Sequence, residues 1–478
     1  VRGARAPSRE LEEREFRCES GGCGLAPRCV GSDRMPTQPR ASETSELSRS
    51  LGTFSAISIT VGAVIGSGIF FKALDVAQAL PSIGWIFAVW IALGVVCLFG
   101  AFAYAELGAM LPEAGGMYSF LRASWGPFPA FLYGWTFFFA INTGTLAALA
   151  AIFAENLADF LGLSAQAQTW LSIAMIVALA VVNHLGVGVG ALLQNLSTTA
   201  KVAALLAIVV AGAFVPGAET TPQALAAAPS VELTLGGIVA ASVAIFWAYE
   251  GWYQLPFNAS ELKNPARDLP RGLIGGVAIL IVLYLLVNAI YLRVVPLEEM
   301  RTLERADVPL SVISRSFGER WTGWLAVLIS ISVLGAANPN LLSSPRGFYA
   351  MAKDGLMPRV LMHVDKRFAT PTVAIWSQAL WAVALILFFE GFKELTDYVV
   401  FASLIFYALT VGAVYVLRRR APNADRPYKC TGYPWTPLVF IAVVLFVDAQ
   451  TFLDPTLRRQ SLYGLAIIAA GVPVYALF

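Results

Sequence analysis

The stretch VGAVIGSGIF, Val61 to Phe70, sets three glycines and a serine inside an otherwise apolar run. Glycine costs about 1 kcal/mol relative to alanine in a helix interior. Gly62, Gly66, Ser67 and Gly68 therefore mark a place where a membrane helix either stops or meets a neighbour closely. Gly62 and Gly66, four residues apart, also suit a small-xxx-small packing face. Which of these readings holds depends on what the rest of the chain is.

The chain has 478 residues, of which 57% are hydrophobic and only 13% charged. Its mean hydropathy is +0.68. A soluble globular chain carries about 25% charged residues, so this one cannot cover itself with polar surface. At about twenty apolar residues per span, the sequence predicts an all-α membrane protein of about twelve helices. They fall near 53–80, 84–110, 125–160, 168–185, 190–215, 234–258, 271–295, 320–353, 372–390, 395–417, 434–453 and 460–477. The first, third, sixth and eighth are longer than one span, or are interrupted by glycine, proline or charge.

A net charge of +2 is too small to argue for nucleic acid. Twelve tryptophans suit interfacial anchoring in a bilayer. The five cysteines include Cys18, Cys23 and Cys29 near the start, Cys97 in an apolar run and Cys430 near a basic loop. Their spacing matches no zinc signature, so no metal and no cofactor is expected. With two histidines and no HExxH, Walker A or nucleophile elbow, the chain is not expected to be an enzyme. The turn GVGVG, Gly186 to Gly190, lacks the strand and the Lys-Ser/Thr of a phosphate loop. His184 beside it is expected to be solvated.

Residues 1–50 are a different polymer, charged and rich in Gly, Pro and Ser. They lack the apolar core of a signal peptide and are expected to form a disordered tail, with Met35 as an alternative start. Residues 51–417 are expected to hold ten helices, and 418–478 the last cytoplasmic loop and two more. With the N-terminus inside, the intracellular loops carry Lys263, Arg267, Arg271, Lys353, Arg359 and the Arg418–Arg420 run, while 161–168 and 214–233 carry no Lys or Arg. The 296–320 loop, with Arg301, Arg305, Arg315 and Arg320, is the exception. The bias places both termini in the cytoplasm, as a multi-pass protein of the plasma (inner) membrane.

The sixth span, ASVAIFWAYEGWYQLPF (Ala241–Phe257), carries Glu250-Gly251 at its middle and Pro256 further on. This break lies about 183 residues after the first, in the corresponding place of a second five-helix half. Irregular backbone inside a bilayer is tolerated only where protein or a cavity satisfies it. Paired Gly-interrupted helices point to a transporter's midplane site. A half-helix N-terminus offers N–H groups and positive dipole to a carboxylate, and the freed carbonyls accept from an ammonium. An α-amino acid carries both groups on one carbon.

Six stretches in order resemble the amino acid–polyamine–organocation (APC) superfamily, and within it bacterial relatives of L-type amino acid transporters. They are VGAVIGSGIF, YAELGAMLPEAGGMYSFL (Tyr104–Leu121), FWAYEGW (Phe246–Trp252), ELKNPARDLPRGL (Glu261–Leu273), NPNLLSSPRGFYAMAKDGLMP (Asn338–Pro358) and RPYKCTGYPWTP (Arg426–Pro437). The resemblance covers residues 50 to 478. It implies a LeuT-like fold, a 5+5 inverted repeat with broken helices 1 and 6, plus two further helices. It also implies sodium-independent amino acid transport, often by exchange.

Carried over by motif, the carboxylate site falls on Ser67 and Gly68 with Gly66 adjoining. The amine acceptors fall on carbonyls of Val64, Trp247 and Glu250, with Ala248 between them, and the closing aromatic on Trp247. L-type members often have glycine where this chain has Glu250. The acid either meets a substrate ammonium, titrates with a proton, or caps the broken helix. On the third span, Asn142, Thr143 and Thr145 either line the pocket or tie helices together; Ser403 is a candidate from the tenth.

Lys201 lies eleven residues into the fifth span, about 16 Å deep in a roughly 30 Å core, beyond easy snorkelling. It matches a family lysine that occupies a sodium site in sodium-coupled relatives. The implied role is an ammonium bridging first-helix carbonyls near Gly62 and polar groups of the eighth helix such as Ser332. Glu106 and Arg346, each at a cytoplasmic end, either pair as an inner gate or snorkel. The 161–168 loop has no cysteine where eukaryotic light chains bind a heavy chain, so no disulfide-linked partner is expected. The expected function is alternating-access transport of small to medium neutral L-amino acids, by exchange or with protons. The alternatives are a cationic amino acid or polyamine carrier, and a sensor that binds without transporting.

Overall fold

The computed structural model describes residues 49, 51–113, 115–217, 231–303, 307–319, 322–388, 392–455 and 457–478. The charged tail, with Met35 and three of the cysteines, lies outside them apart from Arg49. Among the described residues there is no strand, only an isolated parallel bridge between Leu51 and Leu262.

Every one of the twelve expected ranges carries helix. The first span is α1 (Thr53–Val64) and α2 (Gly68–Ala79), bent by 45° at the glycines. The second is α3 (Ile83–Met110). The third is preceded by α4 (Met117–Trp125) and runs from α5 (Pro127–Thr136) through a π-helical segment (Phe137–Ile141) into α6 (Asn142–Leu161). Then come α7 (Ala165–His184) and α8 (Val187–Phe214). The sixth span is α9 (Leu235–Ala248) followed, past Gly251, by a 3₁₀ segment (Trp252–Glu261). The seventh is α10 (Pro265–Val294).

After a short α11 (Asp307–Phe317), the eighth span is α12 (Thr322–Leu342) and α13 (Pro345–Lys353). The remaining spans are α14 (Thr372–Phe388), α15 (Phe392–Arg420), α16 (Trp435–Leu453) and α17 (Arg458–Tyr475). Among the described residues, nine helices are individually long and apolar enough to cross a bilayer, and the bent first pair makes ten. Thr372–Phe388 and Ser461–Tyr475 are shorter apolar helices. The protein is a multi-pass membrane protein.

The charge exception in the 296–320 loop has a local cause. Arg301 donates from Nε to the Ala77 carbonyl (3.0 Å) and from Nη2 to the Leu80 carbonyl (2.7 Å), covering the C-terminal end of α2. Arg315 reaches the Val294 carbonyl at the end of α10 (2.6 Å) and pairs with Glu299. Cations at helix C-termini satisfy last-turn carbonyls and oppose the negative dipole end. Arg305 and Arg320 lie outside the described residues.

His184 is half-buried rather than solvated. Its Nδ1 accepts from the Trp376 indole (3.4 Å), its carbonyl accepts from Thr370 Oγ1 (3.0 Å), and its ring lies 5.3 Å from that of Phe368. The chain turns just after it at Gly186 (φ 134°), and α8 starts at Val187.

Candidate substrate site at the two helix breaks

In the first break, α1 closes with the Ile65 amide on the Val61 carbonyl (2.9 Å), and α2 opens with the amides of Phe70 and Phe71 on the Ser67 carbonyl. The amides of Gly66, Ser67, Gly68 and Ile69 have no backbone partner among the described residues, as the first turn of a helix requires. In the sixth span, Tyr249 and Glu250 fold their amides back onto Ile245 and Trp247 carbonyls, and Gly251 takes φ 113°, a left-handed conformation that favours glycine.

The two breaks abut. A Cβ on Gly68 would stand 2.5 Å from the Ala248 Cα, and one on Gly251 2.9 Å from the Ala63 carbonyl oxygen. Only bare backbone fits at both crossings. The Tyr284 hydroxyl bridges them, 3.2 Å from the Val64 carbonyl and 3.0 Å from that of Ala248. Gly62 lies within helical α1 and faces Gln194 and Thr198 of α8 at close range, which is a packing role.

Between the breaks lies a cavity of about 20 Å³. Its floor and sides are Val64, Gly66, Ser67 and Gly68 from the first break, with Trp247, Glu250, Gly251 and Gln254 from the sixth span. Thr145 and Leu149 of α6 and Ala336 and Asn340 of α12 complete it. A space of that size holds about one water, so an amino acid enters only if the walls move apart. The Trp247 indole nitrogen lies 3.4 Å from Ser67 Oγ, folded across the unpaired amides.

Glu250 lines this cavity and is tied to the tenth span. Tyr407 donates to its Oε1 at 2.7 Å and Ser403 at 3.4 Å. Lys201 sits behind the first break. Its ammonium donates to the carbonyls of Gly62 (2.7 Å), Ile65 (2.6 Å) and Ser332 (3.2 Å). Three donors meet three acceptors, and two of these are freed by the end of α1. The eighth-span partner is the Ser332 main chain, not its hydroxyl.

Two site expectations are corrected. Asn142 does not line the cavity. Its amide donates to the Asn340 carbonyl (3.2 Å) and Gln378 Oε1 (2.5 Å), while its Oδ1 accepts from Ser344 (2.6 Å). All of it is used to join the third, eighth and ninth spans, and Thr145 takes its place on the wall. Ala248 likewise does not line the cavity; it meets Gly68.

Glu106 and Arg346 do not pair with each other. Glu106, buried at the end of α3, takes both Arg418 Nε (2.9 Å) and Nη2 (2.6 Å), Arg426 Nε (3.3 Å) and the Cys430 amide (2.6 Å). The segment after α15 folds back over α3 and brings these donors with it. Glu106→Gln is expected to lower the melting temperature of the purified protein sharply. An acid removed from a buried ion pair leaves its partner charge uncompensated, at a cost of about 3 kcal/mol or more. An unchanged melting curve would refute this anchoring role.

Arg346 instead pairs with Glu261, both being buried. That pair is one rung of three. Gln254 Nε2 donates to Asn340 Oδ1 (3.1 Å), Asn258 Nδ2 to Ser343 Oγ (2.7 Å), and Arg346 Nε to Glu261 Oε1. The rungs run from the cavity wall to one end of the bundle, joining the 3₁₀ segment to the junction of α12 and α13. The sequence signal for them was the polar residues at 254, 258 and 261 facing 340, 343 and 346.

This geometry, two abutting helix breaks with unpaired amides on one side and freed carbonyls on the other, agrees with the sequence comparisons. Residues 51–475 match the amino acid permease family. The chain belongs to that family. The permease is 30% identical over 458 residues to the human b(0,+)-type amino acid transporter 1, covering 93% of this chain and 91% of that one. It is 30% identical over 437 residues to the serine/threonine exchanger SteT of Bacillus subtilis (strain 168), covering 91% and 97%. It is also 30% identical over 461 residues to the rat large neutral amino acids transporter small subunit 2, covering 94% and 84%. The permease is a membrane transporter of amino acids, not an enzyme.

Proposed function

We propose that the permease carries small to medium neutral L-amino acids by alternating access, without sodium, by exchange or with protons. The observation that carries this reading is the pairing of the two breaks. Free amides of Ser67 and Gly68 at the positive end of α2 suit the substrate carboxylate, and the Val64 and Trp247 carbonyls face its ammonium. Both are main-chain groups, which suits the part common to all α-amino acids. In this reading Lys201 supplies a fixed cation at the end of α1, and Trp247 closes the site. The two breaks lie in corresponding places of two five-helix halves related as an inverted repeat, with both termini cytoplasmic in the inner membrane. The relative named as a serine/threonine exchanger supports exchange. Lacking a cysteine in 161–168, the chain is proposed to work without a disulfide-linked partner.

The test is uptake of radiolabelled amino acids into proteoliposomes, with and without internal amino acid, sodium and a pH gradient. Uptake by trans-stimulation without sodium is expected. A strict sodium requirement, or binding with no uptake under any condition, would overturn the proposal.

A second reading, a cationic amino acid or polyamine carrier, is favoured by the Glu250 carboxylate on the cavity wall. Glu250→Gln separates the two. If the substrates are neutral, lysine and putrescine fail to compete in either form. If they are cationic, lysine competes in the wild type, and its apparent affinity falls at least about tenfold in the variant, as loss of a charged partner requires.

A further inference from the structure

The cavity wall holds an acceptor with nothing to accept. Gln254 is 1% exposed and lines the cavity, and its Oε1 has no hydrogen-bond partner among the described residues. A buried polar oxygen without a donor costs about 1–3 kcal/mol, so it calls for an explanation.

The orientation of this amide follows from its neighbours. Asn340 Nδ2 lies 3.3 Å from the Ala336 carbonyl. A carbonyl only accepts, so Asn340 must turn its NH₂ there and its Oδ1 toward Gln254. Gln254 then must present its own NH₂ to Oδ1, at 3.1 Å. The oxygen left over is Oε1, and the chain of bonds fixes it there. Turning Gln254 over would set two oxygens face to face.

Other polar groups on the cavity are acceptors too. The Thr145 hydroxyl spends its proton on the Ile141 carbonyl (2.7 Å) and turns a lone pair outward. The Glu250 carboxylate only accepts when ionised. The small space between these groups is about the size of one hydroxyl-bearing group.

We infer that Gln254 Oε1 accepts a hydrogen bond from the substrate's side chain, so that the permease selects short amino acids bearing a hydroxyl, serine and threonine, over their methyl isosteres. This deepens the transport reading above and rests on it. A site built around a polar partner rejects the analogue that lacks it, because its own group is then left unpaired. Threonine and valine have nearly the same shape and differ in that one group, so they isolate this contact from size.

The experiment is parallel uptake of threonine and valine, and of serine and alanine, into proteoliposomes of the full chain. Wild type is expected to prefer threonine over valine by at least about tenfold, the ratio equivalent to one lost buried hydrogen bond. In Gln254→Leu that ratio is expected to fall to about one, chiefly through lost threonine uptake. Gln254→Glu, which keeps an acceptor, should retain the preference. Thermal stabilisation of detergent-purified wild type by threonine and not by equal valine gives the same answer without a variant. Equal uptake and equal stabilisation by threonine and valine would overturn the inference while leaving amino acid transport standing. A Gln254→Leu protein that keeps the full preference would also overturn it. Wild-type protein that takes up no amino acid would bring down both readings.

Discussion

Lys201→Met is expected to reduce uptake at least about 100-fold while the protein remains monodisperse in detergent. The ammonium of Lys201 is the shared donor for the carbonyls of Gly62, Ile65 and Ser332. Methionine has similar length and suits the apolar surroundings, but donates nothing. Two carbonyls at the end of α1 and one on α12 would lose their partner, each at about 1–3 kcal/mol. The negative end of the α1 dipole would also lose its cation. The break can recover only by rewinding, which would draw the Gly66–Gly68 amides out of line with the cavity. A 100-fold fall corresponds to about 2.7 kcal/mol, within reach of one lost carbonyl contact. Lys201→Arg is not a conservative control, since a planar fork cannot fill a site shaped for three converging acceptors. Uptake of Lys201→Met within about threefold of wild type would show that this ammonium is dispensable.

The second large effect is expected at the far end of the three-rung seam. Glu261→Gln leaves the Arg346 guanidinium buried without its counter-charge, a change that costs about 3–5 kcal/mol in a buried pair. That cost falls on the closed seam between the 3₁₀ segment and the α12–α13 junction, and not on a form in which the seam has opened to water. Each 1.4 kcal/mol is a tenfold shift in such an equilibrium. With the five native cysteines replaced and Ala336→Cys placed on the cavity wall, Glu261→Gln should raise labelling by a membrane-impermeant thiol reagent at least about tenfold. The reagent is applied from the side on which Arg346 lies, and turnover should fall in parallel. Unchanged labelling from both sides would show that the seam is static packing and not a door.

How far the sequence could be read differs by residue, and the differences have causes. The first break was legible because glycines in an apolar run have few other uses there. Lys201 was legible because a single ammonium at that depth must find acceptors, and the nearest broken helix supplies them. Asn142 was misplaced because the Phe137–Ile141 segment is π-helical. A π turn holds more residues than an α turn, so a wheel drawn from the start of the span points downstream residues the wrong way. That rotation turns Asn142 to the eighth and ninth spans and Thr145 to the cavity. Glu106 and Arg346 were both assigned to ion pairs at a helix end, which is where the structure has them. Their partners depend on how the segment around Arg426 and Cys430 folds back and on the register of the 3₁₀ segment, and neither is written in local periodicity. The orphan oxygen of Gln254 was out of reach of sequence, because it emerges only once Asn340 is fixed by the Ala336 carbonyl.

The bare-backbone crossings of Gly68 on Ala248 and of Gly251 on the Ala63 carbonyl bear on how such a carrier can be re-engineered. Any residue larger than glycine at either crossing must push main chain aside, which well-packed interiors resist at about 1–3 kcal/mol. These positions are therefore closed to design. Thr145, Leu149, Ala336 and Asn340 stand on continuous helices, where a change of side chain leaves the crossings untouched. A library aimed at a new cargo should diversify those four and hold the breaks constant, much as a tool keeps its handle while its bit is exchanged.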